Sequence, residues 1–207
     1  MAESSPLFLL PQPEGESHAT PLAEHIQPGR LVELVSNPDT AYLTASTAIL
    51  LEAQSRGESC AWIERQEGRL YPPDLAASGV DLGALVVVQV PERESAFALV
   101  KAAEQLLRSG AFDLLIIDLE KAVLRDGGSW QGRLQALSRE HRTRIILLSD
   151  RPVAADSLGP LISLRLLARR QRVSPGVFRL TYEVLKSKAA PFVKIAGERR
   201  RGPWGLQ

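Results

Sequence analysis

The chain has 207 residues, a formal net charge of +1, 44% apolar residues and a single cysteine. That length accommodates one ordinary globular domain of about 150 to 180 residues plus tails. Its longest apolar runs, residues 84–88 and 114–117, fall far short of the ~18 residues of a membrane span, and no cationic stretch precedes the apolar LFLL near the N-terminus. A soluble, unexported protein with a cytoplasmic location is therefore expected.

In chain order, residues 1–20 are rich in Pro, Ser, Glu and Gly and read as a flexible arm with one apolar patch, Leu7, Phe8, Leu9 and Leu10. The body then alternates: strand 30–35, helix 40–56, strand 59–64, a loop and short helix 72–79, strand 84–89, helix 92–109 stopped by Gly110, strand 112–118, helix 130–141 and strand 143–149. Beyond residue 160 two long runs, 161–170 and 177–188, flank Val173-Ser174-Pro175-Gly176 and read as an antiparallel hairpin continuing the sheet. Val/Ile/Leu strands alternating with helices predict an α/β fold, a mostly parallel sheet covered on both faces. The expected organisation is the arm, a domain over 21–195 and a basic tail over 196–207.

The near-neutral total hides an asymmetry. Residues 165–207 carry eleven Lys/Arg against two Glu, a net of +9, and residues 1–164 therefore carry −8. Such a basic end reads either as a solvated terminus or as a contact for DNA or an acidic partner. Its candidate contact residues are Arg169, Arg170, Arg172, Lys186, Lys188, Arg199, Arg200 and Arg201.

The junction between strand 30–35 and helix 40–56 is where a phosphate-binding loop, G-x-x-x-x-G-K-[ST], would stand. Glycines there let backbone N–H groups close on phosphates, the lysine neutralises charge and the hydroxyl holds magnesium. In this chain the four positions are Ser36, Ala41, Tyr42 and Leu43. The phosphate chemistry is missing, so function is expected to rest on surfaces and partners, with no catalysis and no cofactor.

Other chemistry is weakly signalled. His18, His25 and His141 lie far apart in sequence and indicate no metal site. Cys60 sits in an apolar run and reads as a buried thiol. The run Gly127-Gly128-Ser129-Trp130-Gln131-Gly132 misses the G-x-S-x-G nucleophile pattern; Ser129 reads as a helix cap and Trp130 as a loop anchor.

The stretch GRLVELVSNPDTAYLTASTAILLEAQSRGESCAWIERQEG resembles the ATP-binding region of the RecA recombinase family, and SGVDLGALVVVQV, LVKAAEQLLRSGAFDLLIIDL and LKSKAAPF follow in that family's order. The resemblance puts the family's catalytic glutamate at Gln66, where an amide cannot take a proton from water. It puts the magnesium-associated aspartate at Asp118, which also reads as a strand-end Asp capping the next turn. The two loops that grip DNA in the family shrink to about residues 119–132 and 152–160. The lysines of LKSKAAPF, Lys186 and Lys188, reach in that family toward a neighbouring subunit's nucleotide, and an N-terminal apolar segment docks on a neighbour's sheet edge, a role that Leu7, Phe8, Leu9 and Leu10 would take here.

A RecA-like chain without the phosphate loop, with LYPPDLAASGVDL and a terminal RGPWGLQ, resembles the ImuA family and, more distantly, SulA-type cell-division inhibitors. The resemblance to ImuA implies a non-catalytic component of damage-induced translesion DNA synthesis. Its implied partners are an ImuB-like inactive Y-family polymerase and an error-prone replicative-type polymerase subunit, with RecA recombinase, DNA and a second copy of the chain as further candidates. The SulA resemblance implies instead an inhibitor of a tubulin-like filament protein.

Overall fold

The computed structural model describes residues 20–36, 40–122, 124, 127–188 and 194–201. The chain builds an eight-stranded sheet in the order β3-β2-β4-β5-β1-β6-β7-β8. The strands β1 (Leu31–Val35), β2 (Cys60–Arg65), β3 (Leu85–Val90), β4 (Leu114–Asp118), β5 (Arg144–Ser149) and β6 (Ile162–Ser174) pair in parallel. Most of these strands are apolar at successive positions, as parallel strands covered on both faces require. β6 then turns back at Gly176, whose φ of 68° suits glycine, into antiparallel β7 (Val177–Ser187), and β8 (Glu198–Arg201) follows.

Helices α1 (Leu22–His25), α2 (Tyr42–Ser55) and α3 (Pro72–Ala77) cover one face, where Val32, Leu34, Ile116 and Ile146 meet Ala45, Ile49 and Leu50. Helices α4 (Phe97–Ser109) and α5 (Gly127–Glu140) cover the other, where Leu31, Leu115, Ile117 and Leu147 meet Leu99, Leu107, Trp130 and Leu134. Neighbours such as Ile116 and Ile117 thus enter opposite cores, and each contributes about 1.5 to 3 kcal/mol of burial.

The α/β architecture, the parallel strands and the terminal hairpin agree with the sequence reading. The helix expected from residue 92 begins at Phe97, because Pro91 opens a turn in which Glu94 donates to the Pro91 carbonyl (3.0 Å). It ends as expected at Gly110, with φ 65°. The helix expected from residue 130 starts earlier, at Gly127, and Trp130 is a buried core residue of that helix rather than a loop anchor. Ser129 consequently lies inside the helix, where its Oγ accepts from Arg133 (2.8 Å). Helix α1 and strand β8 were not anticipated. β8 lies in the stretch expected to be a basic tail, and it joins the sheet because its main chain pairs with Val177 to Leu180 whatever its side chains.

Candidate functional site

The carboxyl ends of β1, β4 and β5 open onto the start of α2, the crevice where open α/β sheets bind ligands. Residues 37–39 of the β1–α2 junction lie outside the described residues. Ser36 is fully buried; its N–H donates to Ser149 O (2.8 Å) and its Oγ has no hydrogen-bond partner among the described residues. Ala41 is buried too, and its N–H, which in a phosphate loop would face a ligand, donates to Ala168 O (2.9 Å) on β6. Tyr42 packs into the core beneath α2, and Leu43 packs partly against the same cluster. The positions where the phosphate chemistry is missing are thus occupied by core packing and main-chain pairing.

A cation does reach the crevice, from elsewhere. After β2 the chain turns at Gly68, whose N–H donates to Arg65 O (2.9 Å); a Cβ at Gly68 would run into the Glu64 carboxylate. Glycine therefore lets the turn close over Glu64, which accepts from Leu70 N (3.1 Å), and the turn delivers Arg69. One guanidinium nitrogen of Arg69 donates to Ser36 O (2.8 Å) and Tyr42 Oη (3.2 Å), and the other meets Asp150 Oδ2 (3.3 Å). The guanidinium also lies over the Tyr42 ring, 5.6 Å from its centre. Gln66, in contrast, is exposed, its N–H donating to Val90 O (3.0 Å).

Asp118 ends β4 with no exposed surface. Its Oδ1 accepts from Glu120 N (3.0 Å), holding a turn in which Glu120 adopts φ 48°, and its Oδ2 is buried without a partner. Burial pushes its carboxyl up to about 6, against the pull of that hydrogen bond and of Arg69. Burial likewise raises Glu64 above the usual carboxylate range.

Residues 152–160 are strapped down. Arg165 on β6 donates to the carbonyls of Pro152 (3.0 Å), Val153 (3.0 Å) and Ala155 (2.5 Å), and its Nε meets Glu33 on β1 at 3.2 Å. The fully buried Glu33 also accepts from Ser149 Oγ (2.6 Å) and Leu158 N (2.9 Å). Lys186 donates to Ser157 Oγ (2.6 Å), and Lys188 reaches the Pro160 carbonyl. Both lysines face this segment of their own chain.

The remaining cations divide between the faces of the terminal sheet. Cross-strand register puts Arg169, Arg179 and Arg199 on one face and Arg170, Arg172 and Arg200 on the other. Arg169 is exposed and pairs with Glu183 at 3.4 Å, Arg170 stacks on Phe178 at 4.8 Å, and Arg200 is buried against Glu198 (2.5 Å). Arg201 shares the register position of Val177. The candidate docking residues Leu7, Phe8, Leu9 and Leu10 lie outside the described residues. The edge strand β3 has no charged residue from Leu85 to Val90 and leaves Val86 and Val87 exposed.

Among the described residues, no group of three or more His, Cys, Asp and Glu could hold a metal ion, and no helix is long and apolar enough to cross a membrane. Burial pushes the Cys60 thiol up to about 11, which leaves it a poor nucleophile.

Sequence reasoning missed Arg69, Arg165 and Arg179. A charge inside an apolar strand, as in LVELV and ISLRLLA, signals a buried partner and marks Glu33 and Arg165. Nothing local marks Arg69.

The model of the RecA N-terminal domain matches residues 23–150. The RecA protein of Clostridium acetobutylicum is 36% identical over 96 residues, 46% of this chain and 26% of that protein. Those of Teredinibacter turnerae and Haemophilus ducreyi are each 33% identical over 90 residues, 44% of this chain and 25% and 23% of theirs. The matched stretch thus spans about a quarter of those relatives. With more than half its residues inside that match, the chain belongs to the RecA N-terminal domain family.

Proposed function

We propose that this chain is a non-catalytic RecA-like accessory protein of bacterial damage-induced translesion DNA synthesis, acting in the cytoplasm through protein contacts and through DNA. One observation carries the non-catalytic part: the positions of the phosphate loop are buried as Ala41 and Tyr42, and Arg69 lies against the crevice they border. A nucleotide phosphate placed there would meet an aromatic ring in place of an ammonium, and Gln66 supplies no base. Membership of the RecA family supports the DNA-repair setting. The LYPPDLAASGVDL and RGPWGLQ segments support the ImuA reading, with an ImuB-like polymerase homologue and an error-prone replicative-type polymerase subunit as partners. Arg169, Arg179 and Arg199 on one sheet face offer DNA phosphates guanidinium donors, and the apolar edge at β3 offers a second RecA-like subunit a strand to pair with.

The protein is expected to bind no Mg-ATP and to hydrolyse none, and Tyr42→Lys alone is expected to restore neither. Isothermal titration calorimetry checks this: a flat titration with both proteins supports the reading, and micromolar binding by the wild type contradicts it.

A further inference from the structure

We propose that Arg69 is a resident cation: its guanidinium, tethered to the turn after β2, takes the place of a soluble counterion at the carboxyl ends of β1, β4 and β5 and holds the crevice in one arrangement without a ligand. This goes beyond the partner role above and stands or falls without it.

The donor set carries the inference. Among the described residues the guanidinium's hydrogen-bond partners are oxygens: the Ser36 carbonyl, the Tyr42 hydroxyl and an Asp150 carboxylate oxygen. Carbonyl, hydroxyl and carboxylate oxygens are the ligands that hard divalent cations take. A planar fork of N–H donors satisfies the same atoms with a charge that cannot be lost. Two further oxygens, Asp118 Oδ2 and Ser36 Oγ, belong to fully buried residues and have no hydrogen-bond partner among the described residues. Asp118 and Arg69 also attract each other electrostatically.

The charge balance points the same way. Asp118, Asp150, Glu64 and Glu120 contribute negative charge around the crevice, and among the described residues Arg69 and Lys121 bring positive charge to Asp150. The Lys121 side chain is 84% exposed and 4.0 Å from Asp150, so solvent screens it. Arg69, 28% exposed, is the cation that Asp118 and Asp150 share away from water among the described residues. It also joins elements far apart in sequence, since its partners stand 33, 27 and 81 residues away. Removing the guanidinium would leave an oxygen-lined gap with uncompensated carboxylates, and a small divalent cation can fill such a gap.

The test uses the full chain as Arg69→Ala, Arg69→Lys and the double variant Arg69→Ala/Asp118→Asn. The readouts are thermal unfolding with and without Mn2+ and the electron paramagnetic resonance signal of bound Mn2+. Arg69→Ala is expected to melt below the wild type, to regain stability when Mn2+ is added and to bind one equivalent of the ion. The wild type and Arg69→Lys, which keep a tethered charge, are expected to ignore Mn2+, and Asp118→Asn in the alanine background is expected to abolish the rescue. An Arg69→Ala protein that loses stability and is not rescued would show that Arg69 is only a hydrogen-bonding strut. Unchanged stability in that variant, or Mn2+ binding equally to the wild type, would also overturn the proposal.

Discussion

Arg165→Met is expected to lower the free energy of unfolding by about 3 to 5 kcal/mol, the usual loss when one partner of a buried ion pair is removed. The partner left behind, Glu33, has no exposed surface, and Ser149 Oγ and Leu158 N would remain as its only donors among the described residues. The same change releases the carbonyls of Pro152, Val153 and Ala155, so residues 152–160 should lose hydrogen-exchange protection. Urea unfolding of Arg165→Met beside Arg165→Met/Glu33→Leu separates the causes. The double variant should recover part of the loss, because it no longer buries a lone charge. A single-variant loss below about 1 kcal/mol would show that the pair is dispensable.

Between pH 4 and pH 7.5, Asp118→Asn is expected to gain about 2 to 3 kcal/mol of stability on the wild type, the order of magnitude of the carboxyl's shift from 3.8 to about 6. The sign follows from where the proton binds. The folded chain holds it more tightly than the unfolded chain, so the contribution of this group is most favourable below about pH 4. That contribution falls as pH rises toward 6 and stays low above it. Asparagine keeps an oxygen for the Glu120 N–H and removes the buried charge, whose cost Arg69 only partly offsets. The stability gap between variant and wild type should therefore open between pH 4 and 6 and stay level above. A gap that does not vary with pH, or one that moves in the opposite direction, would contradict the account.

The parallel strands were legible because continuous apolar runs such as LLIID and RIILLS leave few alternatives to a strand buried on both faces. Their order was not, since no local pattern says that β4 lies between β2 and β5. The sequence ERRR reads as solvated, and only main-chain pairing with Val177 to Leu180 makes it a strand. Gly127 and Gly128 read as loop, yet burial of Trp130 and Leu134 against the sheet accompanies a helix that starts with them, tertiary packing overriding propensity. The site divides in the same way. The departure of Ser36, Ala41, Tyr42 and Leu43 from the phosphate-loop pattern is local and visible in the sequence alone. Arg69 lies in an ordinary turn sequence, 27 residues from Tyr42, and its partners exist only once the sheet has formed.

The central claim, a RecA-family protein that works through partners without nucleotide, is tested most directly by sedimentation of the purified chain with a purified ImuB-like polymerase homologue, with and without Mg-ATP. The account predicts a complex of the same affinity in both conditions. No complex in either condition, or one that forms only with Mg-ATP, would contradict it.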